Sequence, residues 1–514
     1  MATNKVIVTN LSALQLKYSA GLPRIRDAIK RSIAADKKRG LTTLLVAIDS
    51  AADMRVAKGV PVAAVSDQRQ VKAALDAVWT TYAPDYLMIL GAPDVIPMQT
   101  LRNPARGDGD ENVPSDLPYA CAAPYGTDPA AFLGPTRVVG RLPDLIGGSN
   151  PAYLVSLLGT AARYKMRTRA DYQGYLGLSA EVWEASTALS LSKVFGASNA
   201  LQTTPPRGPN WSAAQLAFRA HFINCHGADA SPEYYGQPAS GKEQYPVAHQ
   251  AARLKSKVSN GTVIAAECCY GAQLYDPADS AGQAGICSTY LADGAYGFFG
   301  STTIAYGPSE GNGQADLICQ FFLNSVLDGA SLGRAALEAR HRFAALYTHL
   351  DPTDLKTLAQ FYLLGDPSIQ PVSGVPHALS RTKAFKSTFK GAKSTLGARA
   401  LRRERLARTG ANLEQSLGAV RPVHDRAPSH VTRVLNAAAK ESRIKELARQ
   451  SYVVAFPESA VRGDLKQFAA LRRGRFVHLL LGEKFAHDKV KRVVALVATV
   501  QDGTIVHMRR VHSR

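Results

Sequence analysis

Two short segments of this 514-residue chain hold side chains that could do nucleophilic chemistry: Asn224-Cys225-His226-Gly227 and Ala266-Glu267-Cys268-Cys269-Tyr270-Gly271. A cysteine attacks as its thiolate, and a nearby imidazole can take or orient the proton. Each segment follows an apolar run, residues 217–223 and 263–266, that reads as a buried strand. A histidine and a cysteine at the ends of two strands could meet at one edge of a sheet. Side chains alternate in facing along a strand, so only one of Cys268 and Cys269 can reach the histidine. Taken alone, His226 would read as a core histidine satisfied by backbone, and a buried cysteine as a small hydrophobe. The two motifs together carry the chemical reading.

The elements that must place these residues follow an α/β rhythm. Residues 5–8, 44–48, 86–90 and 137–140 read as strands, and 22–34, 71–82 and 152–164 as helices. Such alternation predicts a mainly parallel sheet covered by helices. Residues 103–113, rich in Gly, Asp and Asn, read as a loop. The alternation continues with helices over 183–195, 288–293, 315–327 and 332–346, a small-residue strand over 296–304 and a strand and turn over 362–367. The expected domains are an N-terminal α/β subdomain (1–160), a catalytic subdomain (165–372), a basic linker (373–430, part of it helical over 398–417) and a small α+β module (431–514). In that module residues 433–450 read as an amphipathic helix. Residues 476–481 read as a strand, and 493–500 with 504–511 as a hairpin around Asp502-Gly503.

Apolar residues make up 46% of the chain and charged residues 20%, ordinary for a globular protein. The formal net charge is +20. Residues 372–430 hold twelve Lys/Arg against three Asp/Glu, a net +9. Such a field suits an anionic partner (nucleic acid, acidic lipid or acidic protein) or is simply a solvated linker. The six cysteines lack the spacing of a disulfide framework and fit a reducing compartment. The apolar run at residues 1–8 is too short for a signal peptide, and no run is long enough to span a bilayer, so the expected location is cytoplasmic. No Gly-rich dinucleotide fingerprint follows the first strand.

His-Gly after one apolar strand, then Glu-small-Cys-x-Gly after another, resembles the signature of the caspase-like cysteine peptidases. Four further segments resemble the gingipain-like branch, peptidase family C25: Ser115-Asp116-Leu117-Pro118-Tyr119, Val139-Gly140-Arg141, Gly300-Ser301-Thr302-Thr303 and Leu364-Gly365-Asp366-Pro367-Ser368. The resemblance covers about residues 80–372. It implies a caspase/gingipain-like α/β/α sandwich. It aligns Cys269 with the nucleophile and puts Cys268 at a small core position. It makes His226 the general base, with the N–H groups of Gly227 and Cys269 as oxyanion donors. Ser179-Ala180-Glu181 resembles the segment whose Glu orients the histidine, which makes Glu181 the third catalytic candidate. The acidic insertion of arginine-specific relatives is missing here. Glu184, Tyr306 and Ser301 stand nearest to the substrate-binding positions, and a basic P1 preference is a guess.

The leading expectation is therefore a cysteine endopeptidase acting on protein or peptide substrates, with no cofactor and no metal. The basic tail and the last module would recruit a partner or restrain the site, and deletion after residue 375 tests the restraint. Two alternatives stay open. One is a caspase-like binding or scaffold protein without catalysis. The other is a nucleic-acid adaptor acting through residues 373–514.

Overall fold

The computed structural model describes residues 3–240, 242–373, 395–457, 474–484, 490 and 492–514. A ten-stranded sheet runs through the molecule in the order Thr43–Ala47, Lys5–Thr9, Tyr86–Leu90, Val139–Leu142, Phe361–Gly365, Gly297–Ser301, Val263–Ala266, Ala220–Asn224, Tyr175–Ala180, Leu201–Thr204. Every neighbouring pair is parallel except Gly297–Ser301 with Phe361–Gly365, where two parallel half-sheets meet head to tail. Interior strands of such a sheet are buried on both faces and so read as continuous apolar runs. Val263-Ile264-Ala265-Ala266 is fully buried, and its side chains alternate between two cores. Val263, Ala265, Phe222 and Phe299 lie in one core, and Ile264, Ala266, Ile223 and Phe298 in the other. Helices Glu184–Phe195, Gln314–Leu327 and Leu332–Ala344 cover the first face, and Leu22–Lys38, Gln68–Tyr82 and Ala152–Arg163 cover the second. The result is the caspase/gingipain-like α/β/α architecture.

The register of the two central strands positions the chemistry. Ala266 lies opposite Ile223 in a parallel pair, so residues 269 and 226, three further along each chain, leave the sheet at one level. Crevices outside the carboxyl ends of parallel strands are where open α/β sheets bind ligands.

A second, seven-stranded sheet runs in the order Tyr306–Gly307, Thr504–Ser513, Arg492–Gln501, Arg475–Lys484, Lys445–Ala455, Gly418–Val423, His349–Leu350. Its outermost strands come from the same stretch as the catalytic motifs. The hairpin at Asp502-Gly503 has φ of 49° and 79°, the left-handed pair that a two-residue turn requires. Alternate residues on one side of this sheet (Val477, Leu479, Val493, Val497) join the first core of the main sheet. Those on the other side (Leu480, Val494, Leu496) receive Val431 and Leu435 from the helix Ser429–Glu441.

The structure departs from the sequence reading in two places here. Residues 433–450 do not form one helix: the helix ends at Glu441, Arg443 turns with φ 52°, and Lys445–Ala455 is a strand paired with Arg475–Lys484. Strand pairing on both edges outweighs a local helical spacing. Within the stretch read as a linker, residues 374–394 lie outside the described residues. Thr395–Ser416 is a helix and Gly418–Val423 a strand. Leu406 anchors this helix against Val138 and Leu337, and Leu413 enters the main core.

Candidate active site

Glu267, Cys268 and Cys269 follow the strand Val263–Ala266 directly. The two sulfurs lie on opposite sides of the chain. Cys268 belongs to the core that holds Ile223 and Ala266, and Cys269 to the one that holds Phe222 and Ala265. Cys269 Sγ accepts the Ala305 N–H at 3.3 Å and lies 3.5 Å from the Ala305 carbonyl oxygen. Burial pushes the Cys269 thiol up to about 12, and Asp110 adds to the rise, while the Ala305 and Arg514 amides and Lys356 oppose it. The thiol is therefore neutral in the state seen here.

Ser301, a predicted substrate contact, is buried behind this loop. Its hydroxyl donates to the Cys268 carbonyl at 2.8 Å and reaches the Thr303 carbonyl at 3.0 Å. It fixes the turn that presents Cys269. The wall opposite is clamped by a buried network. Lys356 bridges Asp108 and Asp110 (2.5 and 2.6 Å). Asp108 takes the Tyr306 hydroxyl at 2.9 Å, and Asp110 takes the Ile304 N–H at 2.9 Å and the Tyr270 hydroxyl at 2.7 Å. The loop over residues 103–113 thus holds both the segment after Cys269 and the strand Tyr306–Gly307. Tyr306 turns its side chain into this network and offers only its backbone to the cleft.

His226 is fully buried between the rings of Trp183 (4.3 Å) and Tyr245 (5.1 Å). Its Nε2 lies 3.0 Å from Gln237 Oε1. The Gln237 amide nitrogen donates to the Lys242 carbonyl, which orients the amide oxygen toward the histidine. An amide oxygen only accepts, so the proton sits on Nε2. The lone pair is on Nδ1, which has no hydrogen-bond partner among the described residues. Burial, then Arg492, Arg514 and His512, hold the imidazole well below its ordinary value, so it is neutral.

Gly227 abuts the Cys269 backbone. A Cβ at this position would stand 1.7 Å from the Cys269 carbonyl oxygen, which is why no side chain fits. The Gly227 and Cys269 N–H groups converge on a single oxygen, the main-chain oxygen of Arg514, at 3.4 and 3.2 Å. The Arg514 side chain is fully buried. Its Nη2 lies 2.9 and 3.0 Å from the two Asp316 oxygens and 2.9 Å from the Pro308 carbonyl, and its guanidinium lies over the Trp183 ring at 4.6 Å.

Glu181 and Glu184 lie away from the imidazole's hydrogen bond. Glu181 accepts the Ala239 N–H at 2.9 Å, and the residue on the imidazole is Gln237 instead. Glu184 is exposed at the start of the helix Glu184–Phe195. The acids that do enter the pocket, Asp316 and Glu267, are both fully buried and were not foreseen. Burial, then the neighbouring Asp316, push the Glu267 carboxyl well up, so it stays protonated. Asp316 also caps its own helix through Gly313 N–H, and in the sequence it has only the look of a cap.

Residues 224–372 match the family model for Peptidase family C25. Among solved structures the chain resembles one described as "Structure of Protease", at 13% identity and a TM-score of 0.46, covering 99% of this chain and 97% of that one. No curated protein matches the sequence. The stretch that matches this family model holds His226, Gly227, Cys269 and Asp316.

Proposed function

We propose that the chain is a cysteine endopeptidase with Cys269 as nucleophile and His226 as general base. The observation that carries the reading is the convergence of the Gly227 and Cys269 amides on one oxygen beside the Cys269 thiol. Two such donors form a hole for the oxyanion of a tetrahedral intermediate. Each donor contributes about 2.7–4 kcal/mol to the barrier reduction in comparable sites.

In the proposed reaction the thiol proton passes to His226 Nδ1, and Sγ attacks the scissile carbonyl carbon. The carbonyl oxygen takes the negative charge and is held by the two amides. The C–N bond breaks, the leaving amine takes the proton from the imidazolium, and a thioester remains on Cys269. Water then attacks the thioester, again through His226, and releases the acid and the thiol. Gln237 fixes the tautomer that leaves Nδ1 free. Ser301 holds the nucleophile loop, and Tyr306 lends a strand edge to the substrate. Glu181 supports the Ala239 loop near Gln237. Six unpaired, buried cysteines suit a reducing compartment such as the cytoplasm.

The test is hydrolysis of a peptide library by wild type and by a variant lacking residues 512–514. Cys269→Ala and His226→Ala are made in both. Hydrolysis that disappears with either substitution supports the reading. No hydrolysis in any background, or hydrolysis that survives Cys269→Ala, would overturn it.

A further inference from the structure

The contacts of residues 512–514 have the layout of a bound peptide. Tyr306 pairs with Ser513 and Gly307 with His512 in antiparallel register, and the Arg514 N–H donates to the Ala305 carbonyl at 2.9 Å. This is strand addition to an exposed edge, a common way for a protein to take an extended peptide. The last oxygen of the segment lies between the Gly227 and Cys269 amides, and the last side chain fills a closed pocket beside them.

The pocket fits a guanidinium. Asp316 faces one edge of it, Trp183 covers one face, and the other face lies on the backbone of Gly307. A Cβ on Gly307 would stand 2.2–2.6 Å from the guanidinium atoms, so glycine is what leaves room for it. Arg514 Nε and Nη1 and both Glu267 oxygens have no hydrogen-bond partner among the described residues. The hydrogen bonds run through Nη2 alone, and what suits a guanidinium over an ammonium is the flat slot between Trp183 and Gly307, in which a planar group stacks.

We propose that residues 512–514 are a built-in occupant of the substrate cleft, seated with Arg514 as the P1 residue, and that Asp316 selects arginine at P1 in substrates. This rests on the peptidase reading and deepens it. A tethered occupant has an effective concentration of about millimolar, so an external peptide must outcompete it before it is cut. Activation is then the release of one short strand end rather than the assembly of a site.

The experiment compares the full chain with Arg514→Glu and with the variant lacking residues 512–514, on peptide amides that differ only at P1 (arginine, lysine, leucine). Arg514→Glu sets like charge against Asp316 and should open the cleft. Both variants should cut the arginyl substrate about tenfold or more faster than wild type at low substrate, and both should prefer arginine to lysine and leucine. In the Arg514→Glu background, Asp316→Asn should lower kcat/KM for arginine about a hundredfold and leave leucine near its starting value. Rates equal to wild type in both variants would overturn the occupant. An unchanged arginine preference in Asp316→Asn would overturn the pocket. Either result can arise while Cys269-dependent hydrolysis persists. Loss of hydrolysis in every background is the separate failure of the peptidase reading.

Discussion

Gly227→Ala tests the proposed oxyanion hole apart from the proposed nucleophile and base. The added Cβ would lie 1.7 Å from the Cys269 carbonyl oxygen, 2.8 Å from its carbon and 3.3 Å from its nitrogen. All three neighbours are backbone, so no side-chain rotation relieves the contact. Real Cβ contacts essentially never fall under 3.0 Å, so the two chains must part by at least 1.3 Å. The Gly227 N–H already stands 3.4 Å from its acceptor, and that displacement removes it from hydrogen-bonding range. One lost donor costs about 2.7–4 kcal/mol in the transition state, or 10²–10³ in kcat. The assay is steady-state hydrolysis of an arginyl peptide amide in the Arg514→Glu background, with folded protein counted by circular dichroism. The kcat should fall by about 10²–10³ while KM moves only a few-fold, because the donor serves the charge that develops on oxygen. Alkylation of Cys269 by iodoacetamide, which needs no oxyanion, should continue. A folded Gly227→Ala protein with kcat within about threefold of its parent would refute the assignment of these amides.

Other perturbations test the surroundings. Cys269→Ala should abolish hydrolysis, whereas Cys268→Ala, a deletion in the opposite core, should keep it and lower unfolding free energy by about 1 kcal/mol in urea; loss of activity in Cys268→Ala alone would reverse the assignment. Lys356→Met leaves Asp108 and Asp110 buried without their cation and should cost about 3–5 kcal/mol, together with a higher KM; an unchanged denaturation midpoint would contradict the clamp. His221 and His249 share the Tyr290 hydroxyl, and burial holds them at about 4 and about 3. The unfolded chain takes up protons below about 6.5, which the folded one refuses until near 4. Stability should therefore be full above pH 6.5 and fall as pH drops, with His221 alone removing about 3 kcal/mol by pH 4.5; urea midpoints at pH 7 and 4.5 measure this, and equal midpoints would contradict it.

The features that could be read in the sequence were the local ones. Tyr86–Leu90 and Val263–Ala266 stand where a continuous apolar run placed them, and the Asp502-Gly503 hairpin followed from turn chemistry. The strand Lys445–Ala455 escaped because its partners, not its spacing, make it a strand. Three of the extra motif segments are structural clamps. Arg141 forms a two-pronged pair with Asp116 and also holds the Gly91 and Ile96 carbonyls, and Asp366 receives the buried Lys5. Asp316, the acid proposed to select arginine, was beyond reach for a different reason. Asp316 meets Arg514 across 198 residues of chain, and Cys269 meets Ala305 across 36. The Asp316 contact depends on the pairing of residues 512 and 513 with Tyr306–Gly307, which docks the second sheet there.

That docking also explains why the thiol and the imidazole are both uncharged here. A thiolate–imidazolium pair needs water or fixed dipoles around it, and the Ala305 and Arg514 amides beside the sulfur do not offset its burial. Burial is the first cause for both groups, and the Arg492 and Arg514 guanidiniums set positive charge against His226, while burial and those same cations keep His512 neutral. In the proposed reading, release of residues 512–514 removes the Arg514 cation from beside His226 and frees the Gly227 and Cys269 amides for a substrate. One displacement therefore changes access, proton affinity and selectivity together. In that proposed reading, residues 512–514 both fill the cleft and specify, through Arg514, which peptide can take their place.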